Sequence, residues 1–244
     1  MADLVLFSGG CDSTLVLYTR AMEILKTNQS YNMVKALSIN HDQVPSQTQQ
    51  QNARKKIKEE FIKRELPIEW LEVSISQKSG YGVEGTGLTQ PLIWLPTAAL
   101  YLRTGDNLYT GYHEGDHYWT RSHDAEIAMQ SFLKVMDKKD VKIIHQLEYT
   151  DKASIIRQLK DRGLYELCWY CETPKSTPLY DEPCGDCTPC RTHRTALWQN
   201  ETWYKDNLSE TKLVDCCPKA ELKKDDLGIA VSSLSDALKT ISGS

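Results

Sequence analysis

Residues 8–13 read Ser-Gly-Gly-Cys-Asp-Ser and directly follow an apolar run at 4–7. Glycine permits a tight turn and a close backbone approach, and a helix start presents N–H groups with a partial positive charge. The hydroxyl groups of Ser8 and Ser13 add hydrogen-bond donors. No lysine follows at the Gly-x4-Gly-Lys-Ser/Thr spacing, so the segment is not a Walker P-loop. The pattern predicts a strand-to-helix turn that binds a nucleotide phosphate.

A cysteine cluster provides a second chemistry, metal binding. Cys184, Cys187 and Cys190 form two overlapping C-x2-C steps, a spacing at which thiolates can hold one tetrahedral Zn²⁺. Cys168 and Cys171 form a further C-x2-C step. Spacing alone therefore leaves two ligand sets open, 168, 171, 184 and 187 or 171, 184, 187 and 190. In either set four thiolates close the coordination shell, which predicts a structural site rather than a hydrolytic one.

The other cysteines are not expected to do chemistry. Cys11 occupies a position of the glycine turn that needs no particular side chain, and Cys216 and Cys217 have no matching pair. We interpret all three as incidental thiols.

The elements that must position these residues alternate between strand and helix patterns, which predicts an α/β fold: a parallel sheet of about five strands with helices on both faces. Strands are predicted at 4–7, 34–39, 68–74, 107–111 and 141–144, and helices at 13–26, 47–65, 93–104, 124–137 and 150–161. Ligands of such sheets bind at the carboxyl ends of the strands. Ser8, Asn40, Ser74, Tyr112 and Gln146 lie near those ends.

We predict three segments along the chain. Residues 1–165 form a nucleotide-binding domain, 166–218 a zinc-binding segment packed on it, and 219–244 a polar tail with a short amphipathic helix at 227–241. The glycine-rich stretch 77–90 is predicted to be a mobile loop that covers a site.

Composition narrows the function classes. The chain has 244 residues, of which 40% are hydrophobic and 25% charged, enough for one sizeable core. Its net charge of −4 and isoelectric point of about 5.9 predict no direct nucleic-acid binding. No run reaches the about 18 apolar residues of a membrane span, and the first residues lack the pattern of a signal peptide. We therefore expect a cytoplasmic protein whose cysteines bind metal.

The N-terminal SGGxDS and the later Cys-x12-Cys-Gly-x-Cys-x2-Cys together resemble the 7-cyano-7-deazaguanine synthase family, QueC, of the N-type ATP pyrophosphatases. The resemblance spans roughly residues 4–197 and implies a Rossmann-like fold of the adenine nucleotide alpha hydrolase type. It also implies a homodimer, and the zinc ligands Cys171, Cys184, Cys187 and Cys190.

The resemblance further implies ATP and Mg²⁺ as cofactors and assigns site residues. Asp12, Ser13 and Lys152 are the candidate catalytic residues, with Asp12 as the Mg²⁺ ligand. Lys152 follows from the similarity of Tyr149-Thr150-Asp151-Lys152 to a Ser-Lys step that opens a helix. The candidate ATP-binding residues are Phe7, Ser8, Gly9, Gly10, Asp12, Ser13, Thr14, Ser38 and Gln43.

The substrate site is predicted around 111–119, which mixes carboxylates, imidazoles and aromatic rings suited to a planar base. The candidate substrate-binding residues are Tyr112, Asp116, Arg121 and Glu126. Two family motifs are missing: 95–99 reads Leu-Pro-Thr-Ala-Ala in place of Pro-x-Arg-Asn, and 120–124 replaces Tyr-Pro-Asp-Cys-Arg. We predict that Arg121 compensates for the lost groups.

The resemblance implies an ATP-dependent carbon–nitrogen ligase of queuosine or deazapurine biosynthesis. It would adenylate the carboxylate of 7-carboxy-7-deazaguanine, admit ammonia, and activate the resulting amide again to form the nitrile. Three alternatives stay open. A QueC-like ligase would stop at an amide or join deazaguanine to another amine, such as a protein amine, in antiphage defence or nucleic-acid modification. An ATP pyrophosphatase would modify tRNA, and a zinc module would lack catalysis.

Overall fold

The computed structural model describes residues 2–27, 33–41, 44–75, 89–113, 115–116, 119–176 and 181–207. Most of the loop predicted at 77–90, Gln43 and the helix predicted at 227–241 lie outside these ranges. The chain divides into two compact units, 1–200 and 201–244, and in the second the described residues 201–207 are helical. The segment boundaries that we place after 165 and 218 stay predictions.

Five parallel strands form the central sheet in the order β3-β2-β1-β4-β5. They are β1 Asp3–Leu6, β2 Val34–His41, β3 Ile68–Ile75, β4 Asn107–Thr110 and β5 Lys142–His145. The order reverses between β1 and β4, and at such a switch point a crevice opens outside the carboxyl ends of the strands. The predicted sheet is confirmed, and its switch point lies directly beside the glycine turn.

Helices cover both faces of the sheet, as predicted. They are α1 Cys11–Lys26, α2 Gln47–Lys63, α3 Thr89–Tyr101, α4 Trp119–Val135 and α5 Lys152–Asp161. A further helix, α6 Thr188–Asn207, packs on α5 through Ala196. Successive strand residues point to opposite faces. Val5 and Phe7 thus pack into one core with α1, α2 and α5, whereas Leu4 and Leu6 pack into another with α3 and α4. The α/β Rossmann-like fold class is confirmed.

Helix α4 begins at Trp119, earlier than the predicted Asp124. The N–H of Trp119 donates to the carbonyl of Asp116 at 3.0 Å, and the Ser122 hydroxyl donates to the carbonyl of Trp119 at 2.7 Å. These bonds stabilise an additional first turn. The helix therefore starts close to the carboxyl end of β4.

The cysteine-containing segment follows α5. A 3-10 turn at Tyr165–Leu167 leads into a short antiparallel hairpin, β6 Lys175–Ser176 and β7 Asp181–Glu182, and then into α6. Across the described ranges, no helix has both the length and the apolar character needed to cross a membrane.

Candidate active site and metal centre

The turn between β1 and α1 has the geometry of a phosphate cradle. Gly9 has φ +84°, and a Cβ there would lie 3.0 Å from Cγ of Arg54 and 3.2 Å from backbone atoms of Arg54 and Gln50. Only glycine fits both this conformation and this space. Gly10 is the N-cap residue of α1 and provides no side-chain cap. The first N–H groups of the helix are thus left for another acceptor.

Hydroxyl groups hold the turn in shape. Ser13 Oγ accepts from the N–H of Ser8 at 3.2 Å and lies 3.1 Å from Ser8 Oγ, which accepts from the N–H of Gly10 at 3.2 Å. Thr14 Oγ1 donates to the carbonyl of Gly10 at 2.7 Å. Ser38 Oγ donates to the carbonyl of Phe7 at 3.0 Å. The hydrogen bonds of Thr14, and of Ser38 to Phe7, therefore stabilise the conformation of the turn.

Arg54 is a buried cation beneath the turn that the sequence analysis did not single out. Its Nη1 donates to the carbonyl of Ser8 at 3.4 Å, and its Nη2 donates to Asn40 Oδ1. Asn40 Nδ2 donates in turn to Glu72 Oε1 at 2.7 Å. Burial lowers the pKa of Arg54 against the opposing effect of Glu72. This chain of contacts joins the carboxyl ends of β1, β2 and β3.

Gly111, directly after β4, belongs to the predicted segment 111–119, but its packing role is seen only in the structure. A Cβ at this position would lie 3.0 Å from Asp12 Cβ and 3.0 Å from the backbone nitrogen of Ser13. The end of β4 therefore packs against the start of α1 with no room for a side chain. The available signal was a glycine as the last residue of the strand predicted at 107–111.

Asp12 and Lys152 form an ion pair across 140 positions of sequence. Lys152 Nζ lies 2.7 Å from Asp12 Oδ1 and 2.6 Å from Oδ2. Burial alone would lower the pKa of Lys152, but the combined attraction of the Asp12 carboxylate, Cys11 and Asp116 outweighs it, so the pKa of Lys152 is raised. A lysine at a helix N-terminus is otherwise unfavourable. The carboxylate thus holds a fully charged lysine beside the phosphate cradle.

His113 faces the same carboxylate. It is buried, its Nδ1 accepts from the N–H of Gly115 at 3.2 Å, and its Nε2 lies 3.9 Å from Asp12 Oδ1. Because Nδ1 is an acceptor, the neutral ring carries its proton on Nε2, toward Asp12. This histidine belongs to the site and lies in the predicted segment 111–119, although it was not one of the individually named candidates.

A cavity of about 320 Å³ lies over the switch point of the sheet. It brings together residues predicted from separate parts of the sequence: Ser8, Gly10, Asp12, Ser13, Tyr112, Asp116 and Lys152. The walls also contain aromatic side chains, Trp94, Trp169 and Tyr170. Apolar and aromatic walls with a few charged groups are typical of small-molecule sites.

Two other candidate substrate residues have different positions. Glu126 does not line the cavity and hydrogen-bonds to His145. Arg121 lies in α4, but its side chain falls outside the described residues. At the first missing family motif, Leu95, Ala98 and Ala99 are buried in the core under α3. These three positions provide packing rather than polar groups.

The four cysteines at 171, 184, 187 and 190 converge, with all sulfur atoms within 4.8 Å of one another. The Sγ–Sγ distance is 4.0 Å between Cys171 and Cys187 and 3.9 Å between Cys184 and Cys190. Four thiolates about 2.3 Å from one Zn²⁺ are separated by about 3.8 Å, so the group fits zinc. Of the two sets left open by spacing, the structure forms the one with Cys190.

Backbone geometry also suits thiolate ligands. The N–H groups of Cys187 and Asp186 donate to Cys184 Sγ at 3.2 and 3.4 Å, and the Thr173 hydroxyl donates to it at 3.3 Å. The hydroxyl, followed by these N–H groups, lowers the pKa of Cys184 to about 6. Gly185 has φ +83°, which allows the tight knuckle between the cysteines.

Cys168, excluded from the sulfur group, contacts Cys11 instead. A hydrogen bond between these thiols lowers the pKa of Cys11, against the effect of burial, and raises that of Cys168. Cys168 Sγ also donates to the carbonyl of Leu164 at 3.4 Å. Cys11 is buried under the turn while also bordering the cavity.

Comparison with known proteins gives the family. The family model described as "Queuosine biosynthesis protein QueC" matches residues 2–201. A 7-cyano-7-deazaguanine synthase of Pyrococcus horikoshii is 25% identical over 228 aligned residues, which cover 78% of this chain and 90% of that protein. Together with the cradle, the ion pair and the four-cysteine group, these matches show that the chain belongs to the QueC family of ATP-dependent, ligase-type enzymes of queuosine biosynthesis.

Proposed function

We propose that this protein adenylates the carboxylate of 7-carboxy-7-deazaguanine with ATP and transfers the acyl group to nitrogen, forming 7-cyano-7-deazaguanine. The observation that carries the proposal is the Asp12–Lys152 pair beside the glycine turn, in the wall of a cavity with aromatic sides. This arrangement combines a site for phosphates with a site for a planar base.

In the activation step, the turn and Lys152 receive the phosphates of ATP. A carboxylate oxygen of the substrate attacks the α-phosphorus, and the bond to pyrophosphate breaks. The free N–H groups at the start of α1, the hydroxyls of Ser8 and Ser13 and the ammonium of Lys152 offset the charge that develops on the leaving pyrophosphate. The protein contributes position and charge rather than a covalent intermediate.

Mg²⁺ fits the donor set at this place. It prefers one or two carboxylates together with phosphate oxygens, and the cavity wall contains the carboxylates of Asp12 and Asp116. Asp12 would hold the ion, and Asp116 is the second candidate. When bound, the metal supplies charge neutralisation between phosphate groups.

The planar base would contact the opposite part of the cavity. Tyr112 offers an aromatic face, and the Asp116 carboxylate can accept hydrogen bonds from ring N–H groups. In the nitrogen step, ammonia attacks the acyl carbon and AMP leaves. A second ATP then activates the amide oxygen, and the C–O bond breaks as AMP departs and the nitrile forms.

Zinc is the proposed occupant of the four-cysteine group, and a homodimer is the proposed assembly. With four sulfur ligands the metal has no open position, so its proposed role is to hold the loop around Cys171, which borders the cavity. Native mass spectrometry tests both statements, because it reports the number of zinc ions and of chains together.

The test of the proposed function is incubation of the purified protein with ATP, Mg²⁺ and 7-carboxy-7-deazaguanine, with and without ¹⁵N-ammonium. Mass spectrometry should show AMP and a ¹⁵N-labelled nitrile. Lys152→Met should abolish both products, whereas Lys139→Met, at an exposed lysine that does not line the cavity, should retain them. Absence of AMP formation dependent on the deazaguanine would overturn the assignment.

A second candidate function is formation of an amide, or of a conjugate with another amine. It is favoured by Ala98 and Ala99, which are buried in the core at positions where the family's Pro-x-Arg-Asn motif carries polar groups. The same experiment separates the two. AMP with a labelled amide but no nitrile, or deazaguanine attached to an added amine, would establish the second candidate.

A further inference from the structure

Three polar side chains form a hydrogen-bonded chain at the carboxyl ends of β4 and β5. Thr110 Oγ1 lies 2.6 Å from His145 Nδ1, and His145 Nε2 hydrogen-bonds to Glu126 Oε1 of α4. Thr110 is 1% exposed, and the side chain of His145 is 9% exposed. Thr110 also lines the cavity. The chain therefore runs from the cavity wall to a carboxylate behind it.

The sheet register explains why these groups meet. Thr110 and His145 are register partners on parallel strands, so their side chains project from the same face. Two residues earlier on that face, the partners Leu108 and Ile143 pack in the apolar core under α4. Polar residues replace apolar ones where the face reaches the cavity. A buried polar group is costly unless it is fully hydrogen-bonded, and here each one has a partner.

The hydrogen bonds also have a definite direction. An ionised Glu126 can only accept, so the proton of the neutral imidazole lies on Nε2. Nδ1 of His145 is then an acceptor, and the Thr110 hydroxyl must donate to it. The Thr110 oxygen can still accept a hydrogen bond from a donor in the cavity. This is the direction in which a proton can pass from the cavity to the imidazole.

Aromatic groups hold the imidazole in place. The ring centroids of Trp119 and Tyr112 lie 5.1 and 6.3 Å from that of His145, and the ring of His123 stacks at 6.1 Å. The titratable groups that face His145 are therefore Glu126 and His123 from α4 and Tyr112 after β4. Of these, Glu126 alone carries a negative charge near neutral pH and is the group that can stabilise an imidazolium.

We propose that Thr110, His145 and Glu126 form a proton relay that serves the carbon–nitrogen bond-forming step. This inference rests on the proposed function. The lone pair of the attacking nitrogen forms the bond to the acyl carbon, and the C–O bond to AMP breaks with its electron pair leaving on the phosphate. A proton leaves the nitrogen for Thr110 Oγ1, while the hydroxyl proton passes to His145 Nδ1. Glu126 offsets the charge of the imidazolium, which then returns its proton to solvent.

Such a relay has a physical purpose at this step. An amine that has attacked an acyl carbon becomes cationic, and it returns to reactants unless it loses a proton. A positioned general base typically contributes about 10²–10⁴-fold to such a transfer. The adenylation step needs no such proton acceptor, because an ionised carboxylate oxygen is already a nucleophile. The relay should therefore affect nitrogen transfer and not adenylation.

The experiment measures the two steps separately in the zinc-loaded protein. Adenylation is followed as pyrophosphate–ATP exchange that depends on 7-carboxy-7-deazaguanine, and transfer as amide plus nitrile formed from ammonium. Thr110→Val and His145→Gln should keep exchange within about threefold and lower transfer about 10²-fold or more. Thr110→Ser, which restores the hydroxyl, should recover most of the transfer. Thr104→Val removes a hydroxyl before β4 and should change neither rate.

The solvent deuterium isotope effect gives an independent readout. Transfer by the wild-type protein should be slower in D2O than in H2O because protons move along the relay, and the residual transfer of His145→Gln should lose most of that difference. Unchanged transfer in Thr110→Val, or equal loss of exchange and transfer in both Thr110→Val and Thr110→Ser, overturns the relay. If His145→Gln does not fold, the comparison of Thr110→Val with Thr110→Ser tests the relay by itself. Absence of exchange in the wild-type protein would instead overturn the proposed function.

Discussion

The backbone N–H of Trp169 donates to the carbonyl of Gly9 at 3.0 Å. The side chain of the same tryptophan also forms a hydrogen bond, because its Nε1 donates to the carbonyl of Cys171 at 2.7 Å. One tryptophan therefore ties the four-cysteine group to the phosphate turn. The order of the four-cysteine loop and the shape of the glycine turn are therefore physically connected, although 160 positions of sequence separate Gly9 from Trp169.

Removal of the metal should accordingly weaken nucleotide binding. Cys190→Ala should lower the zinc content from one ion per chain to none and reduce pyrophosphate–ATP exchange, because the Trp169 contact to Gly9 loses its support. Cys168→Ala is the matched control and should retain the zinc. Elemental analysis with a thermal melt measures the effect. Zinc loss in Cys168→Ala with retention in Cys190→Ala would select the other ligand set.

Gly9 should tolerate substitution less well than a glycine of the same conformation elsewhere. Gly105 has φ +81° and no atom within 4 Å of a Cβ, whereas a Cβ at Gly9 meets Arg54 at 3.0 Å. Gly105→Ala should lower the free energy of unfolding by about 1–2 kcal/mol from backbone strain alone. Gly9→Ala should lower it further and also abolish ATP binding, as measured by calorimetry. Equal effects of the two substitutions would contradict the packing argument.

The Asp12–Lys152 pair should stabilise the fold up to alkaline pH. The pKa of Lys152 is raised above its ordinary value of 10.5, since Asp12, together with Cys11 and Asp116, outweighs the effect of burial. The contribution is thus complete below pH 10.5 and is lost as the pH rises through the raised value. Urea unfolding of the wild-type protein and of Lys152→Met should differ by a constant amount from pH 7 to about pH 10. A difference that shrinks in that window would argue against the pair.

His193 should make the protein less stable in acid. Burial, with the charge of Lys152 as a second cause, lowers the pKa of His193 from 6.5 to about 4. Below pH 6.5 the unfolded chain binds a proton that the folded chain does not, so the free energy of unfolding falls as the pH falls toward 4. The full effect is on the order of 3 kcal/mol. Urea unfolding at pH 7 and pH 5 should already show about 2 kcal/mol of this effect.

Two variants test whether the acid sensitivity originates from His193. His193→Phe should remove this part of the pH dependence, because phenylalanine does not titrate. Tyr165→Phe deletes the 2.6 Å hydrogen bond to His193 Nε2 but keeps the histidine, so it should retain the acid sensitivity. An unchanged slope in His193→Phe would assign the sensitivity to other groups.

Much of the fold could be predicted from local patterns. Alternating strand and helix signals indicate a parallel sheet with helices on both faces, because each pattern reflects which residues of one element are buried. The glycine turn was predictable for the same reason: a strand, two glycines and a helix start are contiguous. The start of α4 was not, since it depends on a turn from Asp116 that the helical pattern alone does not indicate.

The sequence by itself thus determined the glycine turn and the α/β class, and it predicted a thiolate metal site with two possible ligand sets. Only the tertiary structure decided which sulfurs meet, that Asp12 pairs with Lys152, and that Gly111 packs on α1. It also decided that Thr110, His145 and Glu126 form one chain. These contacts depend on strand order and register. Both are set by packing between distant segments, so the residue spacing within any single segment does not reveal them.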